Sequence, residues 1–130
     1  MISKEAQKSI KRFKRAASFI GFLVKSPKEM TPSRLRIGRL FNNLQGTVFP
    51  KVKGTTKEVI YLDDIRSFKI STPNSDPERI LLYFHGGGYS LGSPESHYSL
   101  ASYLADITKT VVYVPDYRLG PEYKLSLIHI

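Results

Sequence analysis

The chain has no cysteine and no tryptophan, only two methionines, and no long apolar run. Without cysteine, a disulfide framework and a thiolate-ligated metal site are both excluded. The longest near-apolar stretch, Ala16–Val24, is nine residues including Ser18; a helix crossing a bilayer needs about 20. Acid is scarce at one end only. Residues 1–54 hold thirteen Lys/Arg against Glu5 and Glu29, whereas residues 55–130 hold seven against nine acids. The formal charge of +9 is therefore a property of an N-terminal arm. What is present is the balance of a folding chain: 41% hydrophobic and 24% charged residues over 130 positions, which is one domain or part of one.

The basic arm, residues 1–54, reads as helical. Ile10, Phe13, Ala17, Ile20 and Val24 recur at spacings of three and four, which places them on one face. Thr31 fits an N-cap, with Pro32 at the first helical position. A second helix is expected to run to about Leu44 on Leu35, Leu40, Phe41 and Leu44, with Gly46 ending it. Three readings stay open, in this order of weight: a helix pair packed on its own protein with a solvated charged side, weak attachment to an anionic membrane surface, and nucleic-acid binding, for which no motif accompanies the charge. A secretory signal fits poorly, since Val24-Lys25-Ser26 offers no small-x-small cleavage site. That and the lack of cysteine favour the cytoplasm, with the arm as a route to a membrane.

From Thr55 the pattern is α/β. Glu58–Leu62 and Ile65–Ser71 read as strands turned at Asp63-Asp64, and Thr72–Pro77 as a turn-rich break. Arg79–Phe84 is apolar on both alternating faces, which predicts a strand covered on both sides. Ser93 caps a helix with Pro94 in its first turn; it should run to about Thr108 with Leu100, Tyr103, Leu104 and Ile107 inward. Val111–Val114 is a second buried strand. Strand, helix, strand predicts a parallel pair.

Between the first buried strand and the helix stand His85-Gly86-Gly87-Gly88. Glycines there leave backbone N–H groups open to approach by an anion or by an oxygen becoming one. Phosphate fits badly. A dinucleotide fingerprint from Gly86-x-Gly88 fails at Leu91, and a P-loop from Gly87-x4-Gly92 meets Ser93 and Pro94 where lysine is needed. An oxyanion hole fits better.

Phe84-His85-Gly86-Gly87-Gly88-Tyr89, Gly92-Ser93 and Asp116-Tyr117-Arg118-Leu119-Gly120-Pro121-Glu122 together resemble the hormone-sensitive-lipase-like esterases, the fold-3 branch of the α/β-hydrolases. The resemblance covers about residues 55–124. It implies that the chain is the N-terminal part of an α/β-hydrolase fold, residues 55–124 being a partial core and residues 1–54 a helical cap or arm. It also implies a serine carboxylic-ester hydrolase acting on a small ester or lipid-like substrate without metal or cofactor. Gly86, Gly87 and Gly88 would form the oxyanion hole, His85 would hold the loop, and Tyr89 would line the substrate pocket. Arg118 and Glu122 would organise the later loop, or form a structural ion pair. The family has Ala where Gly120 stands. The competing reading is a non-catalytic α/β module whose basic amphipathic arm binds an anionic membrane surface.

The family pattern continues into a nucleophile elbow, an acid and a catalytic histidine, which do not follow here. Leu125–Ile130 back-translates as CTG-TCT-CTT-ATA-CAC-ATC, similar to a transposase end used in sequencing libraries, so residues 125–130 are expected to be a non-native tail. The fragment is expected to be inactive, and the strand at Val111–Val114 to have an open edge. Gly88-Tyr89-Ser90-Leu91-Gly92 formally fits G-x-S-x-G, with Asp116 and His129 in triad order. His85-Gly86-Gly87 separates it from the strand, however, and the same glycines would have to serve as elbow and oxyanion loop. Ser90 is read as a loop serine, and His97 as a surface residue near its helix start.

Overall fold

A computed structural model describes residues 31–123. The helix expected around Ile10–Val24, the basic face expected beside it, Leu125–Ile130 and His129 lie outside the described residues. Contacts divide the chain into two units, and the second begins at Pro32. Helix α1, Pro32–Val48, falls within that second unit.

Helix α1 starts at Pro32 as expected but runs past Leu44 and through Gly46. Of its four expected anchors only Leu35 is buried; Leu40, Phe41 and Leu44 are exposed. Gly46 is no terminator. It is buried, and a Cβ there would lie 1.9 Å from the Glu95 carbonyl oxygen. The glycine lets the helix touch the backbone of the turn preceding the next helix.

Strands β1 (Thr56–Leu62) and β2 (Ile65–Ser71) form the expected hairpin. They pair antiparallel with Leu62 opposite Ile65, and Asp63 takes a positive φ of 50° in the turn. Strand β3 is Asp76–Leu82, helix α2 Tyr98–Thr108 and strand β4 Thr110–Pro115. Strand β3 begins inside the segment read as a turn, and its register against β4 is irregular between Asp76 and Ile80. Strands β3 and β4 are parallel, whereas β2 and β4 are antiparallel, so the sheet is mixed and the parallel core expected from sequence is its β3–β4 part. The order is β1-β2-β4-β3.

That order corrects two expectations. The crossover through α2 returns β4 between β2 and β3. Strand β4 is thus buried and paired on both sides, and the edge strands of the sheet are β1 and β3. Of the run expected to be covered on both sides, Ile80, Leu82 and Phe84 are exposed, and Leu81 and Tyr83 are half-buried.

Helix α2 packs on the sheet through small residues. Ala101, Ser102 and Ala105 are buried and Leu104 is half-buried, while Leu100, Tyr103 and Ile107 face outward, against expectation. Small side chains bring the helix axis close to the sheet and leave the larger ones on its flanks. Ala101 and Ala105 join Phe68, Ile70, Val112 and Val114 in the core, and Phe68 meets Tyr98 edge-on at 6.4 Å. The helix starts later than Ser93. Ser93 and Ser96 exchange N–H···Oγ bonds of 2.9 and 3.1 Å, a reciprocal cap over a turn that precedes α2. Lys109 ends the helix in the left-handed conformation.

Candidate active site

The loop leaving β3 winds left-handed. Tyr83 continues the ladder by donating to the Tyr113 carbonyl at 2.8 Å. Gly87, Gly88 and Tyr89 then take φ of 136°, 61° and 57°, and Gly92 follows at 91°. Gly87 and Gly92 are also required by space. A Cβ on Gly87 would lie 2.0 Å from the Leu91 carbonyl oxygen, and one on Gly92 would lie 2.1 Å from the Gly86 carbonyl oxygen and 2.6 Å from His85 Nδ1.

The peptide planes are oriented by capture of their carbonyls. Tyr117 Oη donates to the His85 carbonyl. His85 Nδ1 lies 3.1 Å from the Gly86 carbonyl oxygen, a contact that needs the proton on Nδ1, because a carbonyl only accepts. The Gly87 carbonyl accepts from Leu91 N–H at 2.9 Å and Ser90 N–H at 3.3 Å, and the Tyr89 carbonyl accepts from Gly120 N–H at 2.7 Å. In a trans peptide the N–H points opposite to the C=O. Fixing the carbonyls of His85, Gly86 and Gly87 therefore turns the amides of Gly86, Gly87 and Gly88 the other way. Those amides donate to no acceptor among the described residues. They line an open cleft of about 1210 Å³ together with Phe84, His85, Tyr89, Tyr117 and Arg118.

His85 is 2% exposed. Its ring stacks on Tyr117 at 4.4 Å and 16°, and on His97 at 5.5 Å and 28°. Its Nε2 is buried without a partner, which suits the bare lone pair left when Nδ1 holds the proton. His97 is half-buried, not a surface residue, and its Nδ1 lies 2.9 Å from Ser96 Oγ. Burial pushes its pKa down and the neighbouring His85 adds to this, against the Ser93 carbonyl, which pulls it up.

Two arginines that the sequence does not single out hold the surrounding loops. Arg66 of β2 donates to Asp116 Oδ2 at 2.9 Å and to Glu95. The Glu95 hydrogen bond is the main cause that raises the Arg66 pKa. Burial alone would raise the Glu95 pKa, but the hydrogen bond from Arg66 and a backbone bond hold it below the ordinary value. Arg39 of α1 forks onto Glu122, Nη1 to Oε1 and Nη2 to Oε2, both at 2.8 Å. Arg39 is therefore the partner of Glu122, and it lowers that carboxyl's pKa. Arg118, read with Glu122 as a structural pair, is exposed and lies over the Tyr123 ring at 5.5 Å.

The structure brings His85, Gly86–Gly88 and Tyr89 together on one wall of the cleft. It gives the G-x-S-x-G reading no support. The backbone of Ser90 is engaged by Gly87 and Arg39, and Asp116 is committed to Arg66. Gly120 has room for the alanine of the family pattern, with a Cβ 3.6 Å from its nearest neighbours. No three His, Cys, Asp or Glu cluster to hold a metal ion, and no helix is long and apolar enough to cross a membrane, among the described residues.

A β1-β2-β4-β3 sheet with a parallel β3–β4 pair, crossed over by a helix and carrying a glycine loop on the end of β3, defines an α/β-hydrolase core. Residues 81–129 match the family model described as alpha/beta hydrolase fold. A solved hormone-sensitive lipase from a metagenome library is 26% identical with a TM-score of 0.69, over 86% of this chain and 37% of that one. Arylacetamide deacetylase-like 4 family member 1 of Mus musculus is 41% identical over 59 residues, 45% of this chain and 14% of that protein. An acetyl-hydrolase of Streptomyces hygroscopicus is 48% identical over 50 residues, 38% of this chain and 17% of that protein. In sequence and fold the chain is similar to the hormone-sensitive-lipase-like, fold-3 α/β-hydrolases. It spans less than a fifth of these two curated relatives.

Proposed function

We propose that this chain supplies the oxyanion half of a serine carboxylic-ester hydrolase whose nucleophile, acid and base lie beyond residue 124. What supports the reading is that the carbonyls of His85, Gly86 and Gly87 are held by hydrogen bonds while Gly86, Gly87 and Gly88, whose amides have no acceptor among the described residues, line the cleft. When a serine oxygen attacks an ester carbonyl, the carbonyl oxygen gains a full negative charge. Amides already turned toward that position stabilise it without reorganising, at roughly 3–4 kcal/mol per donor. Gly87 and Gly88 are the proposed pair. His85 acts on the loop and not on the substrate: its Nδ1 proton holds the Gly86 carbonyl and thereby aims the Gly87 amide. Tyr89 and Phe84, both exposed on the cleft wall, are apolar surface for the acyl or alcohol part of a small ester.

The test is to express the continuous reading frame that contains residues 1–124 and follow hydrolysis of p-nitrophenyl acetate and butyrate. Turnover is expected, and loss of turnover when the serine of a downstream G-x-S-x-G is changed to alanine. The 130-residue chain alone should show none. A frame with no downstream elbow serine, or a full product inert on both esters, overturns the proposal.

A further inference from the structure

Arg39 uses four of the five N–H donors of a guanidinium, and it uses them on three residues of two different segments. Nε donates to the Ser90 carbonyl at 2.9 Å, at the far end of the glycine loop. Nη2 donates to the Gly120 carbonyl at 2.8 Å and to Glu122 Oε2 at 2.8 Å, and Nη1 donates to Glu122 Oε1 at 2.8 Å. One residue on α1 thus joins the loop after β3 to the segment after β4. The same two segments meet directly where Gly120 N–H donates to the Tyr89 carbonyl at 2.7 Å. Gly120 is held at both its carbonyl and its amide, with Arg39 on one side and the glycine loop on the other.

We propose that Arg39 is a positioning residue for the oxyanion loop: by fixing Ser90 and Gly120 it sets where the Gly87 and Gly88 amides stand in the cleft. Its catalytic consequence rests on the ester-hydrolase reading; its structural half stands without it. The geometry asks for arginine. A lysine ammonium is a point charge that keeps the attraction to Glu122 but cannot reach the Ser90 carbonyl, the Gly120 carbonyl and both carboxylate oxygens from one planar fork. The helix contributes the residue, but nothing places Arg39 at the reacting atoms, so its effect passes through the loop.

The test has two arms. Hydrogen exchange on the 130-residue chain compares wild type with Arg39→Gln and Arg39→Lys. In Arg39→Gln the amides of Leu91 and Gly120 should exchange about tenfold faster or more, while those of Phe68 and Val112 in the sheet keep their rates. Arg39→Lys should behave like the glutamine variant at Leu91 and Gly120. The second arm uses the longer product: Arg39→Gln should lower kcat on p-nitrophenyl butyrate by up to about 100-fold, with KM nearly unchanged. Arg39→Lys should keep the wild-type melting temperature without recovering kcat. Unchanged exchange at Leu91 and Gly120, a uniform rise that includes the strands, or a lysine variant with wild-type kcat would each overturn the proposal. If the wild-type longer product is inert, the ester-hydrolase reading falls and the exchange arm alone decides Arg39.

Discussion

Three glycines near the cleft differ sharply in what a methyl group would meet. At Gly92 the φ of 91° and overlap with the Gly86 carbonyl and the His85 ring act together, so Gly92→Ala should cost roughly 3 kcal/mol or more. Gly88 sits at φ 61° with open space around it, and Gly88→Ala should cost about 1 kcal/mol, the penalty of the left-handed region alone. Gly120→Ala meets only ordinary contacts at 3.6 Å and should stay within about 0.5 kcal/mol of wild type. Urea unfolding midpoints would rank the three, and an order other than Gly92, Gly88, Gly120 would contradict the loop geometry. Titration is set by single residues too. His97 and Glu95 both have folded pKa values below their ordinary ones. For each, the unfolded chain binds more protons in the window between the two values, so stability rises with pH there. The chain should therefore lose stability as pH falls below about 6.5, where an unfolded histidine gains its proton, and lose more through the carboxylate range as Glu95 leaves Arg66. His97→Gln should remove the upper limb of the stability–pH curve, and Glu95→Gln part of the lower one.

At the scale of elements, what decides helix α1 is the approach of its backbone to the turn that carries Ser93 and Glu95. Gly46→Ala gains about 1 kcal/mol of helix propensity, but its Cβ would overlap the Glu95 carbonyl oxygen at 1.9 Å and the Ser96 Cα at 2.6 Å. Backbone cannot swing aside as a side chain does. The variant should melt lower despite the better helix former, by an amount matching a net loss of about 2 kcal/mol, and a rise in melting temperature would show that the contact is not made. Gly46 also marks the limit of what the chain declares about itself. The β1–β2 hairpin was legible because its turn and its partner strand are adjacent in sequence. The His85–Gly88 loop was legible as a motif, and its place at the end of β3 follows from the apolar run before it. Gly46 reads as a stop signal, because the sequence does not say that another backbone passes within van der Waals distance. The inward face of α2 was misread for a related reason: periodicity finds a row of large residues, but Ala101, Ser102 and Ala105 let the helix pack closer. Arg39 was invisible among thirteen basic residues of the first 54. Its partners lie 51 to 83 positions away, and no local pattern reports such a distance.

At the scale of the whole molecule, the strand order decides where the chain is open to association. Strand β4 is flanked by β2 and β3, so the sheet has one edge at β1 and the other at β3. The two halves of β3 differ. Pro77 offers no N–H, the Glu78 amide is taken by Asp76 Oδ1 at 2.9 Å, and Glu78 and Arg79 carry charge; these features blunt an edge. From Ile80 to Phe84 nothing comparable protects it. Ile80, Leu82 and Phe84 are 65%, 51% and 62% exposed, and alternate residues of a strand share one face of the sheet. A second copy of the chain could therefore add its own Ile80–Phe84 segment, gaining ladder hydrogen bonds and covering apolar surface in one step. The 130-residue chain should associate with rising concentration in sedimentation velocity, over the micromolar range in which unpaired strand edges cause aggregation. Ile80→Lys should shift it toward monomer, since a charge on the unprotected half would have to be buried or repelled in every such pair. Ile107→Lys removes as exposed an isoleucine, on α2 and away from the edge. If it dissociates the chain as well as Ile80→Lys does, the driving force is apolar surface in general, and pairing along β3 is not the mode of association.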